Sequence, residues 1–477
     1  FTISGGTFAN GSLIHNVAGN WNDLGGTFTP TAGTIVLSES GGGSGTTINT
    51  KSTNKFFNLT INSTENKEAI TELDVDGDFT ILGGTFTNGN LIHNVAGNWD
   101  DLGGTFTPSD GTIILSGSTP QKTISTKASN YFNILTIPSG GDVSTSTAVN
   151  VSVKKTLTVA SGGSLTVAAG HTISFEDAGL TTPALTVAGT LTLTGTSSAS
   201  RDAIILGDAD SRIDVDITGT FSGSNFTFSF PDQEGLHINS ALQPSISNGT
   251  FDNPIAGNAN CLLNFEFATN LKDFYDGCIF NAGVTGSTDA ANGSRNVKSN
   301  TTTGTTSGST TVVNFTGFSG TLAADATEAE LRDDDGIGAA QRIEWFNNTF
   351  YSSGNSTALQ NSETSIWYSN QDGSGINPTD FTNSEHTFEI QNTNTYTSAG
   401  NWTIDGKLNV RGKLVVNGNH NINIKDNTTL VGANNGELDF TDAAGIFDAD
   451  GTFDASGGGV ITFTAAGTLK LAAVTPD

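Results

Sequence analysis

The chain has 477 residues, among them 59 Gly, 10 Pro, 2 Cys and no Met, and its 19 Lys and Arg stand against 47 Asp and Glu for a formal charge of -28. That acidic excess argues against nucleic acid or anionic membranes as partners, since both need a basic footprint, and no run of about 20 apolar residues is present for membrane insertion. Neither a Met nor a charged-then-apolar leader precedes Phe1, so a mature product or an internal segment is expected.

The first part of the chain contains a duplication. "LIHNVAGNW" stands at Leu13 to Trp21 and again, unchanged, at Leu91 to Trp99. The likeness runs without a gap from Phe1 and from Phe79, so that His15, Trp21 and Thr34 recur at His93, Trp99 and Thr112. Farther along, "TINTKSTNKFFNLTI" ending at Ile61 pairs with "TISTKASNYFNILTI" ending at Ile137, a slightly smaller offset that places a short deletion in the loop after Ser38. Self-similarity at a fixed period is the mark of a repeat architecture, in which each unit must stack on a copy of itself.

From Thr156 to Phe175 and from Ala184 to Gly195, apolar residues alternate with Thr or Ser and then break at closely spaced Gly-rich corners. Period two with such punctuation predicts short, half-buried strands. The corners are too close for helical crossovers, so parallel pairing requires the chain to coil on itself. The expected fold is all-β, a right-handed parallel β-helix (β-solenoid) with roughly 20 to 25 residues per turn. Leu, Val, Ile and Phe would stack inside, with Thr, Ser, Asn and Asp facing water. The 29 Phe against 5 Tyr suit that interior, because Phe carries no hydroxyl that needs a partner.

Three regions are expected: a β-solenoid over 1–200 with the two long repeats, a less regular middle over 201–345, and a C-terminal β-solenoid over 346–477. The middle holds the apolar rungs "NCLLNFEF" and "FYDGCIFNAG", and "ATEAELR" from Ala326 to Arg332 is the only stretch that reads as a helical turn or two. In the last region "AGNW" returns at Ala399 to Trp402, and "GTFDASGGGVITF" from Gly451 matches "GTFTPTAGTIVL" from Gly26 as a weak third copy.

The combination of "GNW", "GGTFTP", "GTIVLS" and "VDGDFTI" resembles the repeat of very large bacterial surface proteins, common in Bacteroidota and related phyla. The segment "SISNGTFDN…FYDGCIFNAG…VNFTGFSGTLAADATEAELRDDDGIGAAQRIEW" is similar to a region of the same proteins. The resemblance implies a secreted or cell-surface location, often through the type nine secretion pathway, and a role as an adhesin, sheath or fibre component. It brings no catalytic residues.

The candidate chemistry is sparse. Acid-rich strings stand at Asp74 to Asp78, Gly207 to Asp216, Arg332 to Gly338 and Asp448 to Asp454, where Asp and Gly also suit solvated corners. Asp448, Asp450 and Asp454 form the best candidate calcium set, although the bidentate acid that closes a complete loop is missing. Arg212 and Arg332 lie beside acids, and local ion pairing accounts for both without a reaction. The spacing of Cys261 and Cys278 is close to one expected coil, so they should either bridge or lie as two small buried side chains. A bridge would imply an oxidising, extracellular setting.

Trp21, Trp99 and Trp402 each follow Gly-Asn and are expected either as exposed glycan contacts or as packed rung caps. His15 and His93 are expected at one exposed or corner site used twice. Sequons at Asn10, Asn58, Asn225, Asn248, Asn300 and Asn427 hint at a secreted surface. Function is read as a non-catalytic extracellular filament subunit that partners itself in a head-to-tail homopolymer. The alternatives are an adhesin stalk that binds surface glycans and a polysaccharide-active β-helix enzyme.

Overall fold

The structure, a computed structural model, is described for all residues except 40–44, 147–149, 177–181, 241, 256–259, 267–272, 282–294, 300–312, 321, 323–342, 347–348, 369–376, 379, 385, 431–435, 457 and 472–477. The "ATEAELR" segment and the acids of "RDDDGIG" lie outside the described residues, as does Asn300. Among those described there are strands and no helix. The strands stack almost entirely in parallel as a β-solenoid, with an antiparallel exception where Tyr351 and Ser352 face Tyr368 and Trp367.

Two compact units divide the chain, Phe1–Trp345 and Phe346–Asp477, each with its own apolar core. The division between units does not fall at residue 200. The strand Thr190–Thr194 pairs in register with Thr220–Ser229, so the regular coils run on into the middle region.

Register explains what the alternating pattern is for. One inward column of the first unit runs His93, Ile113, Leu135, Leu157, Leu185, Val215, Leu236, Leu263 and Val297, each paired with the next coil's residue. Every member of this column is buried. One residue on, the outward column runs Asn94, Ile114, Thr136, Thr158, Thr186, Asp216, His237, Asn264 and Lys298. The side-chain period of two sends alternate residues to opposite faces, and in-register stacking repeats that choice on every coil.

Coil length varies while the columns hold. The coil from Ile14 to its partner Thr34 is short, and the one from Leu263 to its partner Val297 is far longer. Between paired strands the chain turns at corners, where glycine permits what other residues cannot. Gly84 sits at a register shift with φ +74°, and a Cβ there would fall 1.8 Å from the Ser63 carbonyl oxygen.

The second unit repeats the plan with six-, five- and four-stranded sheets. From Thr387–Ile390 onward its strands visit the six-, five- and four-stranded sheets in fixed cyclic order, ending with Phe453–Asp454, Val460–Phe463 and Thr468–Leu471. The inward column Trp402, Ile422, Phe447 and Leu469 belongs to the four-stranded sheet.

Leu157 is fully buried between Leu135 and Leu185, whereas Thr158 faces outward between Thr136 and Thr186. Leu157→Ala is expected to cost about 2–5 kcal/mol, and Thr158→Ala less than about 1 kcal/mol. Urea denaturation followed by far-UV circular dichroism checks the pair.

Candidate functional site

The outward column changes character after Thr186, where hydroxyls give way to ionisable groups. Asp216 from Ile213–Ile217 is paired with His237 from Pro231–Ile238, and His237 with Asn264 from Cys261–Phe265. His237 is nearly enclosed by carboxylates from three coils. Its Nδ1 lies 3.3 Å from Asp216 Oδ1 and 3.5 Å from Glu234 Oε2, and its Nε2 lies 3.0 Å from Glu266 Oε2. Asp214 and Asp232 complete the group, the latter accepting a 2.8 Å bond from the Glu234 backbone N–H through its own Oδ1.

Electrostatics follow from that crowding. Partial burial, reinforced by the charges of Asp214 and Glu234, pushes the Asp232 carboxyl up to about 6. Burial and the neighbouring Asp216 and Glu234 also raise Asp214, against the opposing pull of His237. Carboxyls held above their usual range beside an imidazole can store protons or attract cations. Asn264 Oδ1, one rung away, is buried without a hydrogen-bond partner.

Sequence reading found only the first strand of this cluster, within the acid-rich string Gly207 to Asp216. Glu234, His237 and Glu266 join it because consecutive coils return to the same face, as the pairs Val215–Leu236 and Leu236–Leu263 show. Arg212 is engaged by none of the acids beside it. Its guanidinium donates to the Asn253 carbonyl oxygen and lies 5.4 Å from the Phe230 ring centre.

Comparison with known proteins finds no matching family model, no matching curated protein and no matching solved structure.

The candidate calcium ligands do not converge. Asp448 faces out from Ile446–Ala449 and pairs with Lys470 Nζ at 3.3 Å, Asp450 is exposed beyond that strand, and Asp454 Oδ1 accepts the Ser456 N–H at 2.8 Å. Asp448 and Asp454 stand on different strands, Ile446–Ala449 and Phe453–Asp454, with Asp450 in the turn between them. Among the described residues no group of three or more His, Cys, Asp or Glu is placed to hold a metal.

The tryptophans are packing elements. Trp21, Trp99 and Trp402 are at most 1% exposed, so they form no glycan-reading stripe. In the two long repeats the indole N–H is held by the second residue on, Trp21 by Asp23 and Trp99 by Asp101, both at 3.1 Å. The same aspartates accept the Lys51 and Lys127 backbone N–H, and Asn54 and Asn130 bridge the corner below. The weak third copy has Ile404 in place of that aspartate, and Trp402 Nε1 is left without a partner, the ring stacked on Trp367 at 5.6 Å.

Cys261 and Cys278 are both buried and no disulfide joins them, so they lend no support to an oxidising setting. The coils here are longer than the separation of the two cysteines. Cys261 shares its column with Arg295, while Cys278 precedes Ile279, which pairs with Thr250. Burial pushes the Cys278 thiol up to about 12, so it is inert.

His93 is not at an exposed corner. It is 3% exposed on the inward face of Ile92–Val95, its Nδ1 accepts the Leu73 N–H at 2.9 Å, and burial lowers it to about 4. His15, its repeat equivalent, is half-buried against the edge of the Phe8 ring. The sequon residue Asn10 is 2% exposed, its amide donating to Leu13 and Ala32 carbonyls, so it is closed to a glycan in the folded chain.

Two expectations follow. Asp232 has a folded-state value above its unfolded one, so the native state binds more protons between them and its contribution to stability falls as pH rises through about 6. Relative to Asp232→Asn, the unaltered chain should therefore gain stability on going from about pH 7 to about pH 5, which urea titrations at the two values would measure. Adding a calcium chelator should leave Tm unchanged, as read by scanning calorimetry.

Proposed function

We propose that this chain is an extracellular, non-catalytic structural protein, a β-solenoid subunit of a head-to-tail filament or surface fibre. The observation that carries the reading is the contrast between interior coils and the outermost ones. Phe440 is fully buried, yet Phe463, its partner in the next coil, is 51% exposed although stacked on it at 4.7 Å with rings 4° from parallel. Val460 and Leu471 are 50% and 54% exposed in the same coil. Phe1, stacked on Trp21 at 4.7 Å, is 42% exposed in the first coil.

Among the described residues the outer edges of these coils have no further parallel partner, and added strands, of the same chain or of another copy, would cover both the edges and the exposed apolar side chains. A contact of the last coil of one copy with the first coil of another is heterologous, so it propagates instead of closing. The repeat's resemblance to Bacteroidota-type surface proteins supports a secreted location, with type nine export as the proposed route. The glycan-binding stalk is the weaker reading, because the aromatic side chains that would contact sugar rings are buried.

Electron micrographs of the purified chain are expected to show filaments. Phe463→Asp and Phe1→Asp should each abolish them, and a mixture of the two variants should stop at dimers, since each keeps one good end. Filaments that persist unchanged in both variants would rule the reading out.

A further inference from the structure

We infer that the corner built by Ser398, Asn417, Gly418, His420 and Thr441 is a self-modifying site, at which the Asn417 side chain closes onto the Gly418 nitrogen and then opens with water to aspartate and isoaspartate. Asn417 is exposed between the strands Lys413–Val416 and Asn421–Ile424, and the glycine after it has φ +64°. Glycine leaves the approach to its own nitrogen unobstructed. Ser398 ends Thr395–Ser398 and Thr441 follows Glu437–Phe440, the two strands paired with Lys413–Val416, so adjoining coils bring both hydroxyls to this dipeptide. The Thr441 hydroxyl, shared with the Val416 carbonyl oxygen at 3.4 Å, donates to Asn417 Oδ1 at 3.3 Å and polarises the carbon to be attacked. Ser398, 2% exposed, accepts the Asn417 backbone N–H at 2.8 Å and donates to the Asn417 carbonyl oxygen at 3.1 Å. A donor on that oxygen favours loss of the Gly418 N–H proton, because the amide anion carries its charge there. His420 supplies the base. The one hydrogen on Ser398 Oγ goes to the Asn417 carbonyl, so in the 3.1 Å contact with His420 Nδ1 the imidazole donates, and Nε2 keeps its lone pair. A Cβ added at Gly418 would lie 3.4 Å from that Nε2, which sets the ring against the reacting residue.

The Gly418 nitrogen gives its proton to His420 Nε2 and bonds to Asn417 Cγ, the Cγ–Nδ2 bond breaks, and Nδ2 leaves as ammonia with that proton. Water then adds to either carbonyl of the resulting ring, giving aspartate where the new bond is cut and isoaspartate where the old peptide bond is cut. Asn10–Gly11 and Asn88–Gly89 carry the same dipeptide without the arrangement. Both asparagines are at most 2% exposed, and their Oδ1 atoms have no donor. Their Nδ2 groups are held by the carbonyls of Leu13 and Ala32 in one case and of Gly89, Leu91 and Pro108 in the other. There the carbon is unpolarised and the leaving group is pinned. At Asn417 either product adds a negative charge to an exposed corner, and isoaspartate also lengthens the backbone where Ser398 clamps it.

Peptide mapping by mass spectrometry of the full chain held at neutral pH, with isoaspartate read by electron-transfer fragmentation, tests this. Conversion at Asn417 is expected to run faster in the folded chain than in urea, whereas Asn10 and Asn88 should convert only in urea. His420→Ala should slow Asn417 at least about tenfold, as the loss of a positioned base requires. Added imidazole should restore part of that rate, which a purely structural role for His420 would not allow. Thr441→Val should slow it about threefold or more, the scale of one hydrogen bond. A folded rate at or below the urea rate would mean that an exposed Asn-Gly turn reacts from its sequence alone, and would overturn the inference. So would a His420→Ala rate equal to that of the unaltered chain. Ser398→Ala should also slow the reaction, and if that variant does not fold, His420→Ala and its rescue by imidazole still decide.

Discussion

Parallel pairing in register between successive coils is the constraint on which everything else in this protein rests. Once Leu135 is opposite Leu157, and Leu157 opposite Leu185, each side chain's neighbours above and below are fixed. A column must then be tolerable as a whole. Inward columns are apolar almost throughout, and a polar member needs a partner arranged for it, as with His93 and the Leu73 N–H. Lys67 is a charged exception, 1% exposed and paired with Glu65 at 3.5 Å. A buried pair of that kind seldom stabilises relative to apolar side chains of the same size.

The same constraint decides what could be read in advance. The coil, the inward and outward faces and the repeat were legible because each is written locally, as alternation, glycine corners and the echo of Phe1 onward in Phe79 onward. The acid–imidazole cluster was not. Its members come from separate coils, and whether Glu266 meets His237 depends on corner lengths that alternation does not encode. The cysteines failed for that reason too, since their spacing was matched to a shorter coil than the local one. The asparagine sequon at Asn10 and the tryptophans show a different gap. A residue's type permits both exposure and burial, and only its place in the coil, strand parity for Trp21 and Trp99 and a corner for Asn10, selects one.

The Trp–Asp corner shows how far a repeat can decay before its fold does. Asp23 and Asp101 each collect an indole N–H and a backbone N–H, and burial raises the Asp101 carboxyl, so the charge is held there against a desolvation penalty. In the third copy the aspartate is Ile404, yet Trp402 keeps its inward place against Trp367 and Phe381. Packing sets the position. The hydrogen bonds refine the corner around it.

Unequal coil length also bears on how such a chain yields to tension. A coil advances the solenoid by one strand spacing, about 4.8 Å, whether it is the short coil from Ile14 to Thr34 or the long one from Leu263 to Val297. Drawn out at about 3.4 Å per residue, the shorter releases roughly 70 Å and the longer roughly 115 Å. Each coil that peels away thus lengthens the chain more than tenfold over its folded rise and exposes only its own rung of the ladder. Under load the protein would give ground one coil at a time, dissipating work at every step, with the widest coils acting as the deepest reserves of slack.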